Sequence, residues 1–255
     1  MTGTWLKSGD ATTDAPLRLF CFAHAGGGGG FFRPWRELLL PEIEVCPVIL
    51  PGRETRVAEP AFRSMADLIG PLCAGLAPQL DRPYALFGHS TGAAIAYEVA
   101  RRFQDDPARA PRRLLVSGRR APHLAARRPP FAGLADDDFL RVVAELGGTP
   151  EEVMRQRDLM RMFLPALRAD FHLNESYRPL PGPRLRCPLS GFTGDHDPEV
   201  TPLELRLWET TSDGPFRMRV YDGDHFYLAG LPEPLRSDLR EDLRDDIKMP
   251  RQTVS

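Results

Sequence analysis

The chain has 255 residues, 42% of them hydrophobic, and a formal net charge of −2, a balance that suits one globular α/β domain and offers no positive surplus for nucleic acid. No apolar run is long enough to span a bilayer, and Met1 to Ala15 lacks the basic start and apolar core of a signal peptide, so no membrane contact and a cytoplasmic location are expected. The four cysteines, Cys21, Cys46, Cys73 and Cys187, follow no Cys-x-x-Cys or metal-type spacing; free thiols and no metal site are the expectation.

Residues 1–15 are polar and expected to fray ahead of a single domain over 16–249, with a second flexible tail at 250–255. Leu17 to Ala23 is a short apolar run of the kind a strand shows when both faces of a parallel sheet are covered. It ends in His24-Ala25 and five glycines, Gly26 to Gly30, before a helix over Phe31 to Leu40 that stops at Pro41. Ile43 to Leu50 reads as the second strand, followed by the loop Pro51-Gly52-Arg53. Ser64 then caps a helix toward Leu80 that Pro71 and Pro78 break or bound.

Tyr84 to His89 is strand-like, Ala93 to Phe103 is helix-like, and Gly88-His89-Ser90-Thr91-Gly92 between them fits Gly-x-Ser-x-Gly. In that context the motif predicts a nucleophile elbow, a sharp strand-to-helix turn that lifts the Ser90 hydroxyl out of the sheet. Arg112 to Ser117 gives a further strand, and the alternation so far implies a parallel, doubly wound sheet. From about 119 to 183 the alternation stops. A helix after Asp136-Asp137-Asp138 and a second from Pro150-Glu151-Glu152 toward Phe171 predict an inserted helical lid, whose Met and Phe residues either line an acyl channel or pack against the body. The sheet resumes at Pro188 to Thr193, followed by a helix over Pro202 to Thr211, a strand at Phe216 to Tyr221 and a helix capped by Ser237 running to Ile247.

A serine hydroxyl needs a base in reach and the base needs an orienting acid. On sheets that carry this elbow the partners follow in the order serine, acid, histidine, each on a loop at the carboxyl end of a later strand. Of six histidines only His196 and His225 lie beyond the lid; His196 sits inside the acid loop, which leaves His225 as the base. The acid is Asp197 or Asp195, with the Gly-x-x-Asp spacing from Gly194 favouring Asp197 and leaving Asp195 to support the loop; Asp222 and Asp224 read as turn formers. The oxyanion donors expected are the backbone N–H of Thr91 and that of Ala25, helped by Gly26. The glycine run has a rival meaning as a phosphate cradle, but neither Gly-x-Gly-x-x-Gly nor a Gly-Lys-Ser/Thr ending is present.

Several separated segments then resemble the type II thioesterases, stand-alone members of the α/β-hydrolase superfamily that serve polyketide synthases and nonribosomal peptide synthetases. They include Phe22-Ala23-His24-Ala25-Gly26-Gly27, Leu50-Pro51-Gly52-Arg53, the elbow, Ser117-Gly118-Arg119-Arg120-Ala121-Pro122, Leu164 through Asp170 and Asp224-His225-Phe226. Thr91 departs from the family, which commonly has Met there. The resemblance implies an α/β-hydrolase fold and a serine hydrolase that removes acyl groups from the phosphopantetheine arm of acyl or peptidyl carrier proteins, with Ser90 as nucleophile, His225 as base and Asp197 as acid. It implies no cofactor beyond the arm that the substrate brings. Exposed arginines such as Arg119, Arg120, Arg127 and Arg128 are candidates for steering acidic carriers, with a solvated face as the alternative. A monomer is the default. The same chemistry also serves a product-releasing thioesterase or an acyltransferase; a noncatalytic carrier-binding partner is the reading that the complete set Ser90, Asp197 and His225 opposes.

Overall fold

A computed structural model describes residues 5–6, 14–148, 152 and 156–248. Its centre is a six-stranded parallel sheet of β1 (Leu17–Phe22), β2 (Ile43–Pro47), β3 (Tyr84–His89), β4 (Leu114–Ser117), β5 (Leu189–Gly194) and β6 (Phe216–Tyr221), ordered β2-β1-β3-β4-β5-β6. Side chains alternate across each strand, so every inner strand needs cover on both faces. Phe20, Phe22, Leu86 and Val116 point to one side, where they meet α2 (Met65–Leu76), α3 (Thr91–Phe103) and α6 (Pro202–Arg206). Leu19, Cys21, Phe87 and Phe192 point to the other and meet Trp35 and Leu39 of α1 (Arg33–Leu39) and Leu235, Leu239 and Leu243 of α7 (Glu233–Lys248). The strand order reverses between β1 and β3. Loops at the carboxyl ends of β1, β3, β5 and β6 therefore gather above the middle of the sheet, the place where doubly wound sheets bind ligands.

Between β4 and β5 lies the expected insertion, with α4 (Asp136–Leu146) and α5 (Arg157–Ser176). It has its own apolar cluster, in which Phe131, Phe139 and Val143 pack on Met160, Leu164, Leu167 and Phe171. The Glu175 carboxylate accepts the N–H groups of Phe131 and Ala132, which fixes the lid's entry segment to α5.

Several expectations need correction. Within the segment expected to fray, Trp5 is buried under the Arg56 guanidinium, 4.1 Å from its ring, and Leu6 bridges Val48, so these two residues are held to the body. Pro71 does not break α2, because Leu68, Ile69, Leu72 and Leu76 bury a continuous face that outweighs the roughly 3 kcal/mol of an interior proline. The last helix begins at Glu233, a turn before Ser237, since Pro234 in its first turn needs no N–H partner there and Leu235 already belongs to the buried stripe. The opening of the second lid helix at Pro150 and Glu151, and the tail at 250–255, lie outside the described residues.

Candidate active site

The elbow is built by strain that its neighbours impose. Ser90 sits at φ 54 and ψ −118 between the last residue of β3 and the first of α3, a conformation a non-glycine residue holds only when its surroundings dictate it. Its N–H donates to Ser117 O at 2.8 Å, tying the turn to the end of β4. A Cβ at Gly92 would fall 2.1 Å from Phe22 O, and one at Gly88 would fall 2.2 Å from Gly92 O, so the first turn of α3 passes directly over β1 only because both positions are glycine.

Asp197 and His225, 28 residues apart, meet at the ends of β5 and β6, where His225 Nδ1 lies 2.8 Å from Asp197 Oδ2. Both residues are buried. Glu199 N–H donates to the second oxygen, Asp197 Oδ1, at 2.8 Å, and the carboxylate is thereby fixed at both ends. Asp195, the rival acid, is exposed and instead accepts from Gly223 N–H at 3.0 Å and pairs with His196, bracing the β5 loop against the β6 loop. Asp224 forms the expected turn, accepting from Phe226 N–H at 2.7 Å.

Ser90, Thr91, Ala25 and His225 line one narrow cavity of about 60 Å³, closed on the lid side by Leu167 and Phe171. Ser90 also lines a second space of about 140 Å³, between Arg119 and the lid residues Phe131, Phe171 and Tyr177. The lid's apolar stripe differs from both expectations: Met160 and Leu164 pack inside the lid, while Phe171 packs there and also lines the two spaces at Ser90.

Four further residues differ from expectation in position or pairing. Gly26 is not a free oxyanion donor, because its N–H donates to Asp170 Oδ2 at 2.7 Å. Arg119 is turned inward, donating to Asn174 Oδ1 at 2.6 Å and lying over the Tyr177 ring; burial brings its pKa down to about 10. Arg127 and Arg128 are exposed but already paired with Glu204 and Glu199, which leaves them poorly suited to steering a partner. The glycine run is also no phosphate cradle: besides Asp170 at Gly26, the Glu54 carboxylate accepts from Gly30 N–H at 3.1 Å, so the chain's own acids occupy it. Sequence reasoning missed this use of Asp170 and Arg53. The sequence signal is that both residues end segments that resemble the type II thioesterases, Leu50 to Arg53 and Leu164 through Asp170, and neither segment names the partner.

His24 and His89 flank His225. The His89 and His225 rings are 4.7 Å apart, and His24 lies 5.9 Å from His89. Burial, with the charge of His225 and Arg53 adding, lowers the His24 pKa to about 4; burial also lowers that of His89 well below the usual imidazole value. Burial pushes the Cys46 thiol up to about 12 and raises Cys21, in keeping with inert free thiols.

The thioesterase domain family matches residues 17–240. Linear gramicidin dehydrogenase LgrE of Brevibacillus parabrevis is 38% identical over 234 residues, which cover 91% of this chain and 89% of that protein. Thioesterase PikA5 of Streptomyces venezuelae is 38% identical over 89% of this chain and 81% of its own length. The solved structure of the type II thioesterase BorB from the borrelidin biosynthetic cluster superposes with a TM-score of 0.84 at 36% identity, covering 97% of this chain and 99% of that one. The word dehydrogenase in the first name has no counterpart here, where the dinucleotide fingerprint is missing and the glycine loop is filled by Glu54 and Asp170. No helix among the described residues is long and apolar enough to cross a membrane. With a match running from β1 into α7 and relatives that align nearly end to end on the same sheet, the chain belongs to the thioesterase family and is a thioester hydrolase of the α/β-hydrolase fold.

Proposed function

We propose that this protein is an editing thioesterase that hydrolyses acyl groups from the phosphopantetheine arm of acyl or peptidyl carrier proteins, with Ser90, His225 and Asp197 as its catalytic residues. The observation that carries the catalytic assignment is the buried 2.8 Å contact of His225 Nδ1 with Asp197, opening on the same cavity as the strained Ser90. Asp197 accepts a hydrogen bond from Nδ1–H, which keeps that proton on Nδ1 and leaves Nε2 free as the base. The Ser90 hydroxyl attacks the thioester carbonyl carbon while Nε2 takes its proton, and the negative charge on the carbonyl oxygen is met by the N–H groups of Thr91 and Ala25. The carbon–sulfur bond then breaks and the imidazolium protonates the departing thiol. Water, deprotonated by Nε2, attacks the acyl-serine and releases the acid and the free hydroxyl. The reaction needs no resident metal or cofactor, since phosphopantetheine arrives on the carrier.

The editing role is supported by near end-to-end similarity to BorB, described as a type II thioesterase of a biosynthetic cluster. The test is Ser90→Ala in a chain whose circular dichroism and melting are unchanged. Hydrolysis of acetyl- and propionyl-loaded carrier protein falls to the uncatalysed background; retained turnover refutes the assignment.

A further inference from the structure

The lid helix does more than cover the site, because it grips the loop that holds the second oxyanion donor. Asp170, buried on α5, accepts Gly26 N–H at 2.7 Å through Oδ2. The buried guanidinium of Arg53 completes the grip. It donates from Nη2 to Asp170 Oδ1 at 2.6 Å, and from Nη1 to Asp170 Oδ2 and to Gly27 O, both at 2.8 Å. One ion pair therefore fastens both the N–H of Gly26 and the carbonyl of Gly27, immediately after Ala25.

The packing around this pair is equally close. Gly26 has φ +77, and a Cβ there would lie 2.5 Å from Leu167 Cδ1, so α5 rests directly on the loop one turn before Asp170. The turn that carries Arg53 is pressed on the same helix, with a Cβ at Gly52 falling 3.0 Å from Ala166 Cβ.

From this geometry we infer that Asp170 and Arg53 are positioning residues for catalysis, aiming the Ala25 N–H at the developing oxyanion and making the oxyanion hole complete only while α5 is seated. The inference rests on the assignment of Ala25 as an oxyanion donor made above. It follows from the energetics of such donors: a backbone N–H stabilises the transition state only if it is held in place beforehand, and a carboxylate bound to the N–H of the next residue does that better than solvent. A bidentate guanidinium pair is also directional, so small tilts of α5 are passed to residues 25–27 rather than absorbed. Seating or release of the lid would then switch transition-state stabilisation on or off without moving Ser90, His225 or Asp197, none of which lies on the lid.

The test uses the full chain with Asp170→Asn and, as a milder change, Arg53→Lys, which keeps the charge and loses the fork. With acetyl-loaded carrier protein, kcat is expected to fall about 100-fold in the first and about 10-fold in the second while KM stays within threefold, the size seen when an oxyanion donor is lost. Affinity for phenylboronic acid, whose serine adduct places an anionic oxygen in the hole, should weaken in proportion to kcat/KM. Asp246→Asn, which breaks the buried Arg113–Asp246 pair at the opposite end of the sheet, controls for destabilisation and should leave kcat within twofold. If Asp170→Asn does not fold, Arg53→Lys decides alone. The inference is overturned if kcat falls only in step with the unfolded fraction, or if KM rises while boronate binding is unchanged. Failure of Ser90→Ala to abolish turnover is a separate result, which removes the underlying catalytic assignment instead.

Discussion

Asp197→Asn isolates the part of the site that sets the imidazole's tautomer. The side chain is fully buried and nearly isosteric with its replacement, so the fold should survive. Its Oδ1 is committed to Glu199 N–H at 2.8 Å, an acceptor position that only the amide oxygen can fill. The amide NH2 must therefore take the Oδ2 position, where it faces His225 Nδ1 at 2.8 Å as a donor. His225 can then accept only with Nδ1 deprotonated, which puts its proton on Nε2, the nitrogen that receives the Ser90 proton in the proposed mechanism. A base locked in the wrong tautomer loses about 10⁴ in kcat in the serine-protease precedent, equivalent to about 5.4 kcal/mol of activation free energy. Asp195→Asn changes an exposed carboxylate that braces a loop and should cost no more than about threefold by the same scale. Steady-state release of carrier thiol, followed with a thiol-reactive chromophore beside a melting curve, measures both. Asp197→Asn retaining a tenth of wild-type kcat, or Asp195→Asn losing as much as Asp197→Asn, refutes the tautomer reasoning.

Two further outcomes follow from the surrounding structure. Gly92→Ala forces a Cβ to within 2.1 Å of Phe22 O and 2.6 Å of Ala23 O, backbone that cannot rotate away; a loss of about 3 kcal/mol in urea unfolding is expected, with more than tenfold lower kcat in the folded fraction because Ala23 leads into the oxyanion loop. His24 has a folded pKa of about 4 against an ordinary 6.5, so below pH 6.5 the unfolded chain takes up a proton that the folded chain refuses until about pH 4. The His24 contribution is thus full above pH 6.5 and falls as the pH drops toward 4, by about 2 kcal/mol at pH 5 at 1.36 kcal/mol per unit, and His24→Gln should lessen the fall of the urea midpoint between pH 7.5 and 5.0, leaving the part due to His89; a variant as acid-sensitive as the wild type would sink this account.

The parallel strands were legible because burial on both faces makes β1, β3 and β4 largely apolar, with Arg18 the one charged residue among them, and even the edge strand β6 was bounded correctly by its aromatic ends at Phe216 and Tyr221. The residues now proposed as catalytic were legible for another reason. Chain order and loop position constrain a serine, an acid and a histidine without any knowledge of side-chain contacts, and the structure then separates Asp197 from Asp195 by burial and hydrogen bonding. Helix starts were read less well, as at Glu233, where a proline in the first turn was the better signal than a serine one turn on. Arg53 and Asp170 each lie in a segment that stood out by resemblance, but their pairing was illegible because they stand 117 residues apart and neither residue type announces a partner at that separation. Arg119 misled for the same reason: an arginine after a strand reads as surface until the Tyr177 ring and Asn174 are seen beside it.

The histidines around the site also explain how one imidazole cycles through a charge while two neighbours do not. In the proposed mechanism His225 becomes an imidazolium each time Ser90 gives up its proton, 4.7 Å from the His89 ring. A second positive charge at that separation would oppose it by about 3.5 kcal/mol at an effective dielectric of about 20, more than about a hundredfold in rate. Burial keeps both His24 and His89 neutral at pH 7, and His89 Nδ1 is further committed to Ser117 Oγ at 3.0 Å, which in turn meets Tyr227 OH at 2.7 Å. The polar residue directly before the nucleophile is therefore held as a neutral wall, so that among these three rings the charge of the cycle is confined to the one that Asp197 stabilises.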